Sequence, residues 1–264
     1  MKHVVICDES YSTGRFLVLG ALLVPTHNHA MLANELKDWK ARNRLNPSSE
    51  FKWTKVSKKY LPLYAEMMQW IFSHLKANHL RFRSLVMDTG HRLYRQFSEG
   101  KREKGFYKAY YHLLLQTIKR AWEEDQDVSV LILLDEKRDR YPFYKGVLKK
   151  TLNAALKRDL GIGKAVVSIE DRPSSGPRAE ALIQPVDVLI GAIGFVRNGL
   201  ASKSTSSPWK RRLAETIEQA CGSPLSYDTM PGSPFNLWTF DLKIAAKRKK
   251  AWKRQAQKRK RPQA

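Results

Sequence analysis

Apolar residues follow two different spacings along the chain, and these spacings divide it into strands and helices. Short apolar runs that end at Gly, Pro or a charged residue predict strands at residues 3–8, 16–24, 80–87, 128–134 and 164–169. Apolar residues three and four positions apart predict helices at residues 29–44, 61–77, 103–124, 143–159 and 179–198. A short Gly/Ser turn joins the first two strands, which are therefore expected to form an antiparallel hairpin. The whole order predicts an α/β fold, with a mixed sheet and helices on both of its faces.

The same pattern divides the chain into three parts. Residues 1–200 carry the predicted strands and long helices and are expected to form one domain. Residues 201–242 hold a Ser-rich linker, a short helical pattern and a last apolar segment, and are expected to pack on that domain as an extension. Residues 243–264 consist mostly of Lys, Arg, Ala and Gln, so this tail has little to bury and is expected to be disordered.

The charge balance of the chain points to a polyanionic partner. There are 48 Lys and Arg residues against 25 Asp and Glu, which gives a formal net charge of +23. Residues 243–264 hold eleven of the basic residues and no acid, so the rest of the chain still carries +12. Nucleic acid, DNA or RNA, is the commonest partner of such a field, and an anionic membrane surface is the competing partner.

Two cysteines and the length of the apolar runs indicate the compartment. Cys7 and Cys221 are too few for a disulfide framework or a zinc cluster, which suits a reducing cytoplasm. The apolar residues after Met1 are too few for a signal peptide, and no run is long and apolar enough to span a bilayer. We therefore expect a cytoplasmic protein without a membrane segment.

Acidic residues stand where predicted strands end. The first strand runs into Asp8, and the strand at residues 128–134 runs into Asp135. Asp187 is a single acid inside an otherwise apolar helical pattern. Buried carboxylates are costly unless something neutralises them, and open α/β sheets bind their ligands at the carboxyl ends of strands. Carboxylate oxygens are the ligands that Mg²⁺ and Mn²⁺ prefer, so these three acids are candidate metal ligands for phosphodiester chemistry.

Two further acids are weaker candidates, and one candidate has a structural alternative. Glu9 lies on the opposite strand face from Asp8, or just past the strand end. Glu50 lies in a segment without a strong helical pattern and is either a fourth ligand or an ordinary loop acid. Asp187 is either a metal ligand or a structural residue that pairs with an Arg or caps a helix kinked at Pro185.

Other chemistries are not indicated. The chain has no Gly-rich phosphate loop of the GxxxxGK type and no HExxH motif, and no His stands near Ser10 in sequence to activate it. Basic residues near the acids and in the tail are candidates for binding phosphate groups of nucleic acid: Lys52, Lys55, Arg172, Lys247, Arg248, Lys249 and Lys250.

Several short motifs, in this order and spacing, resemble the bacterial domain of unknown function family 3800. The motifs are Asp8-Glu9-Ser10, Glu50-x-Lys52, Leu134-Asp135-Glu136, Gln184-x-x-Asp187 and Phe235-Asn236-Leu237-Trp238. The resemblance covers about residues 3–200 and implies a ribonuclease H-like fold and a setting in phages and mobile elements. It also implies Asp8, Asp135 and Asp187 as metal-binding acids, with Glu9 and Glu50 as additions. In this chain Tyr11 replaces a usual Gly and Pro185-Val186 replaces a usual Leu-Ala.

The sequence supports two hypotheses about function. The first is a nuclease, a hydrolase dependent on Mg²⁺ or Mn²⁺ that cleaves phosphodiester bonds in nucleic acid. The second is a non-catalytic nucleic-acid-binding subunit of a larger defence or mobile-element assembly, in which a protein partner supplies specificity. A third alternative is a protein-interaction subunit whose tail contacts RNA nonspecifically.

Overall fold

A mixed six-stranded sheet forms the centre of the computed structural model, which describes residues 1–11, 13–136, 142–176 and 179–247. The strands, in chain order, are β1 His3–Ser10, β2 Phe16–Pro25, β3 Arg81–Asp88, β4 Val130–Asp135, β5 Val166–Arg172 and β6 Phe235–Thr239. They lie side by side in the order β5-β4-β1-β2-β3-β6. Strand β2 is antiparallel to β1 and β3, whereas β4, β5 and β6 are parallel to their neighbours.

Seven helices among the described residues cover the sheet. They are α1 Thr26–Arg42, α2 Leu61–Lys76, α3 Tyr94–Ser98, α4 Arg102–Glu124, α5 Pro142–Leu160, α6 Ile183–Arg197 and α7 Pro208–Cys221. A short 3-10 helix spans Trp53–Lys55, and residues 242–247 are also helical. Within the described ranges, none of the helices is long and apolar enough to cross a bilayer.

Each face of the sheet has its own apolar core. Side chains alternate between the two faces along a strand, so Val4 and Ile6 of β1 enter one core while Val5 and Cys7 enter the other. The first core is closed by α1, α2, α6 and α7, and we call this side of the sheet the α6 face. The second core is closed by α4 and α5, and we call this side the α4 face.

The sheet confirms the predicted fold class. The β1–β2 hairpin is antiparallel as expected, and helices lie on both faces of a mixed sheet, as predicted for an α/β fold. The segment after residue 200 contributes directly to this sheet, because β6 pairs in parallel with β3.

Several predicted boundaries were wrong; the helix predicted at residues 29–44, for example, spans Thr26–Arg42. Three of the differences have a clear physical meaning. Helix α6 begins at Ile183 rather than at residue 179, because Glu180 turns the chain there and accepts a hydrogen bond from the Leu182 N–H at 3.0 Å. Strand β5 continues to Arg172, since its backbone pairs with β4 as far as Asp135. Residues 243–247 belong to a short helix instead of a disordered tail, and residues 248–264 lie outside the described residues.

Candidate functional site

Asp8 and Asp135 lie next to each other at the carboxyl ends of two adjacent parallel strands. The register pairs Cys7 of β1 with Leu134 of β4, so the residues that follow them, Asp8 and Asp135, are neighbours across the two strands. Alternation places both on the α6 face, where Ile6 also lies. They are only 2% and 9% exposed, on backbones about 4.8 Å apart. Two carboxylates so close and so buried repel each other unless positive charge or protons compensate them.

Helix α6 brings Asp187 to the same level of the sheet. Gly20 of β2 is the cross-strand partner of Asp8. A Cβ atom added to Gly20 would lie 2.5 Å from Ile190 Cγ2 and 3.1 Å from Val186 Cγ1, so α6 rests directly on the sheet there. Asp187 follows Val186 in this helix, and its charge, like that of Asp135, acts on the Lys52 ammonium group.

Two polar residues of α6 bind the backbone of the segment that carries Glu50. The Trp53 N–H donates to Asp187 Oδ1 at 2.6 Å, and the Phe51 N–H donates to Gln184 Oε1 at 3.1 Å. Gln184 and Asp187 are three positions apart and thus share one side of the helix. The Trp53 side chain packs against Gly191, where a Cβ atom would approach Trp53 Cγ to 2.2 Å. The segment is consequently fixed on the helix by hydrogen bonds and by close packing.

Glu50 and Lys52 alternate with the buried Phe51 and form an ion pair. Lys52 Nζ lies 2.8 Å from Glu50 Oε1, Lys55 Nζ lies 3.0 Å from Glu50 Oε2, and the Ser174 hydroxyl donates to the same carboxylate. Partial burial alone would raise the pKa of Glu50, but these hydrogen bonds outweigh it and lower the pKa to about 2. Glu50 is therefore ionised over the whole physiological range.

Lys52 links this ion pair to the other acids. Burial alone would lower the pKa of Lys52, yet the hydrogen bond with Glu50 and the charges of Glu50, Asp135 and Asp187 raise it overall. The ammonium group thus lies in the field of three candidate acids. This arrangement places a cation beside the candidate acids.

Glu9 and Arg172 occupy different surroundings from each other. Glu9 lies on the α4 face, away from Asp8, and accepts a hydrogen bond from the Tyr110 hydroxyl at 2.5 Å. Arg172 stands opposite Asp135 in the β4–β5 register, so the two share the α6 face. Its guanidinium donates to Glu170 at 2.6 Å. The structure therefore brings Arg172 to the candidate site and leaves Glu9 outside it.

The tail residues fall in two groups. Lys247 is exposed at the end of the described chain. Arg248, Lys249 and Lys250 lie outside the described residues.

The two departures from the family pattern are accommodated. Tyr11 adopts a left-handed backbone conformation, with φ of 54°, which favours Gly at this turn. Its ring packs against Gly194, and its hydroxyl accepts a hydrogen bond from Trp53 Nε1 at 3.2 Å. Pro185 is the third residue of α6, where its missing N–H has no partner within the helix, so no kink is required.

The donor chemistry suits a hard divalent cation, although the acids are not gathered into a complete ligand set. Within the described ranges, no group of three or more His, Cys, Asp or Glu side chains is close enough to hold one metal ion. Asp8 and Asp135 supply carboxylate oxygens from neighbouring strands, and one oxygen of Asp187 on α6 accepts the Trp53 N–H. Only oxygen ligands are present at this position, which fits Mg²⁺ or Mn²⁺.

Sequence reasoning missed the residues that assemble the site. The sequence marks Gln184 only as part of a motif, and no pattern in it points to Ser174 or to the Trp53 backbone. The available signal was the pair of polar residues, Gln184 and Asp187, at helical spacing in an apolar helix. Such a pair indicates that another segment is hydrogen-bonded there.

Comparison with known proteins found similarity in solved structures alone. No protein-family model matches the sequence, and no curated protein matches it. A chain in the structure of the PCNA:RNase HII complex from Archaeoglobus fulgidus is similar over 85% of this chain and 92% of that chain, with a TM-score of 0.35 and 11% identity. Aquifex aeolicus RNase H3 is similar over 83% of this chain and 69% of that chain, with a TM-score of 0.35 and 16% identity. Neither similarity assigns a substrate, a metal or an activity to this chain.

Proposed function

We propose that this chain is a divalent-metal-dependent nuclease that hydrolyses phosphodiester bonds. The observation that carries the proposal is the pair of buried carboxylates, Asp8 and Asp135, at the ends of adjacent parallel strands. The net charge of +23 supports a polyanionic substrate. Membership of the domain of unknown function family 3800 is part of the same proposal and rests on the motifs described above.

In this proposal Asp8, Asp135 and Asp187 hold Mg²⁺ or Mn²⁺, and Glu50 completes the ligand set. When bound, such ions activate a water molecule and stabilise the leaving oxygen in phosphodiester hydrolysis. Lys52 and Arg172 lie on the same side of the sheet as the acids and orient the phosphate group. Lys55 holds Glu50 in place and adds positive charge at the solvent edge.

Cleavage assays with labelled single- and double-stranded DNA and RNA, in Mg²⁺, Mn²⁺ or EDTA, test this proposal. We expect metal-dependent products from the wild type and none from the Asp8→Asn/Asp135→Asn double variant. The matched control is Asp38→Asn/Glu215→Gln, which removes two exposed acids and should cleave at the wild-type rate. Absence of any metal-dependent product, or equal cleavage by the Asp8→Asn/Asp135→Asn variant, would contradict the nuclease proposal.

A second candidate is the non-catalytic nucleic-acid-binding subunit of a defence or mobile-element assembly. It is favoured by the pairing of Glu50 with Lys52 and Lys55, which already neutralises one proposed ligand. This alternative expects salt-dependent binding without a metal requirement, and no product unless a protein partner is added. The same assays distinguish the two candidates.

A further inference from the structure

Two segments that contain no acid flank the candidate site. Residues 51–65 and residues 188–214 hold no Asp or Glu. They meet because α7 packs against α2 and the Trp53–Lys55 turn packs against α6. The basic residues of these segments are Lys52, Lys55, Lys58, Lys59, Arg197, Lys203, Lys210, Arg211 and Arg212. These two segments thus bring basic residues together beside the candidate site, and three of them, Lys52, Lys55 and Arg197, pair with acids that lie outside the two segments.

Trp209 gathers two of these cations from different parts of the chain. Lys58 Nζ lies 5.7 Å from the centroid of the Trp209 ring, and the Arg212 guanidinium carbon lies 5.6 Å from it. The ring is half-buried against the core of the α6 face, whereas Lys58 and Arg212 are exposed. Cation–π contacts of this kind attract a cation to the face of the ring and restrain a long side chain there. The ring therefore acts as a fixed platform for two charges.

Lys210 connects this platform to the carboxylates. Its Nζ lies 5.5 Å from the centroid of the Trp53 ring, and the Trp53 N–H is bound to Asp187. Burial lowers the pKa of Lys210, and the negative charge of Asp187 partly opposes that effect. In the described part of the chain, none of Lys58, Lys210 and Arg212 forms a salt bridge with an acid. We call Lys58, Lys210 and Arg212, together with Trp53 and Trp209, the α7 basic surface.

We propose that the α7 basic surface binds the sugar–phosphate backbone of nucleic acid and leads one strand to the Asp8–Asp135 site. That the bound strand leads to Asp8 and Asp135 rests on the proposed nuclease function, but binding at this surface can be tested without cleavage. A polyanionic backbone fits because Lys58 and Arg212 lie over the Trp209 ring while Lys210 lies over the Trp53 ring in the field of Asp187. The segments that carry these cations contain no acid of their own. Lys58, Lys210 and Arg212 make the phosphate contacts, and Trp209 is a positioning residue.

The test is equilibrium binding of the full chain to fluorescent single- and double-stranded oligonucleotides in EDTA, between about 50 and 200 mM salt. Affinity falls as salt rises, and the Lys58→Ala/Arg212→Ala variant should make this fall less steep. The magnitude of the slope of log affinity against log salt should decrease by about 1.4 to 1.8, since each lost phosphate contact removes about 0.7 to 0.9. The control variant, Lys76→Ala/Lys157→Ala, removes two exposed lysines elsewhere and should keep the wild-type slope.

A second variant tests the role of the ring. Trp209→Ala removes no charge, yet it should weaken binding several-fold, because Lys58 and Arg212 lose the platform that restrains them. Trp209→Phe should restore most of the affinity, because it keeps an aromatic face. Circular dichroism melting identifies any variant that is unfolded. If Lys58→Ala/Arg212→Ala is unfolded, the single Lys58→Ala variant, at an exposed position, takes its place, and its expected change in salt slope is about 0.7 to 0.9.

The outcomes separate this surface from the nuclease proposal. An equal salt slope for Lys58→Ala/Arg212→Ala and the Lys76→Ala/Lys157→Ala control overturns the α7 basic surface, even if the wild type cleaves nucleic acid. A reduced slope in a protein that never cleaves supports the surface and contradicts the nuclease proposal instead. A wild type that binds neither kind of oligonucleotide overturns the surface outright.

Discussion

Replacing Gly191 by Ala should loosen the contact that holds the candidate site together. The new Cβ atom would lie 2.2 Å from Trp53 Cγ and 2.3 Å from Trp53 Cβ, so Trp53 must move away from α6. Overpacking of this kind destabilises the fold by about 1–3 kcal/mol. Ala is itself about 0.5–1 kcal/mol more favourable than Gly inside a helix, which offsets part of this loss. We therefore expect a net loss of about 1 kcal/mol, and at most about 2.5 kcal/mol, in the free energy of unfolding, or about 2–4 °C and at most about 10 °C in melting temperature. Cleavage should fall as well, because the Trp53 N–H holds Asp187.

Gly146 provides the matched control within another helix. It lies inside α5, and a Cβ atom there would have no neighbour within 4 Å. Gly146→Ala should therefore raise the free energy of unfolding by about 0.5–1 kcal/mol, opposite in sign to Gly191→Ala. Thermal melting followed by circular dichroism measures both variants. A Gly191→Ala protein that melts at or above the wild-type temperature and cleaves normally would refute the packing of Trp53 on α6.

Three further predictions follow from single contacts. The pKa of Glu50 is about 2 in the fold against an ordinary 4.5, so its stabilisation is complete above pH 4.5 and is lost as the pH falls towards 2. Between pH 4.5 and pH 2, the free energy of unfolding measured in urea should fall by about 1–2 kcal/mol more for the wild type than for Glu50→Gln, after allowance for solvent screening. Equal pH dependence of the two free energies would contradict this ion pair. Tyr110→Phe should cost about 1.5–3 kcal/mol, because it removes the hydrogen bond to Glu9, and should leave cleavage unchanged; loss of cleavage in a folded protein would return Glu9 to the site. Gln184→Leu should cost about 2–4 kcal/mol in the same unfolding assay, because it leaves two buried backbone groups without partners, the Phe51 N–H among them; an unchanged stability would mean that water replaces the amide.

Five of the six strands and most helices could be predicted because their signal is local, whereas β6 was expected only as an apolar segment of the extension. Two of the predicted strands, those that run into Asp8 and Asp135, are apolar on both faces. The ends of β1 and β4 lie within two residues of the predicted ends. Strand β5 was predicted too short because Glu170 and Asp171 are polar, while the pairing that extends the strand is made by the backbone of β4. Side-chain hydropathy carries no information about that pairing.

The candidate site could be predicted only in part. Acids at strand ends indicated Asp8 and Asp135, because adjacent parallel strands end at the same edge of a sheet. The structural alternatives considered for Asp187 were an Arg partner or a helix cap, whereas the contact found is with the backbone N–H of Trp53, 134 residues away in sequence. The sequence does not predict the ion pair of Lys52 with Glu50 either, because it depends on which side chains of that segment are buried.

Strand β6 gives the order of synthesis a physical consequence. It pairs with β3, yet its residues are added to the growing chain about 150 residues later, roughly 7–30 s at ordinary elongation rates. Until then one side of β3 offers a row of unpaired backbone groups to any other extended chain, and such edges are sites of aggregation. Proteins truncated before Phe235 should therefore precipitate during expression, and a chaperone that shields extended segments should be needed most while β6 is still being made.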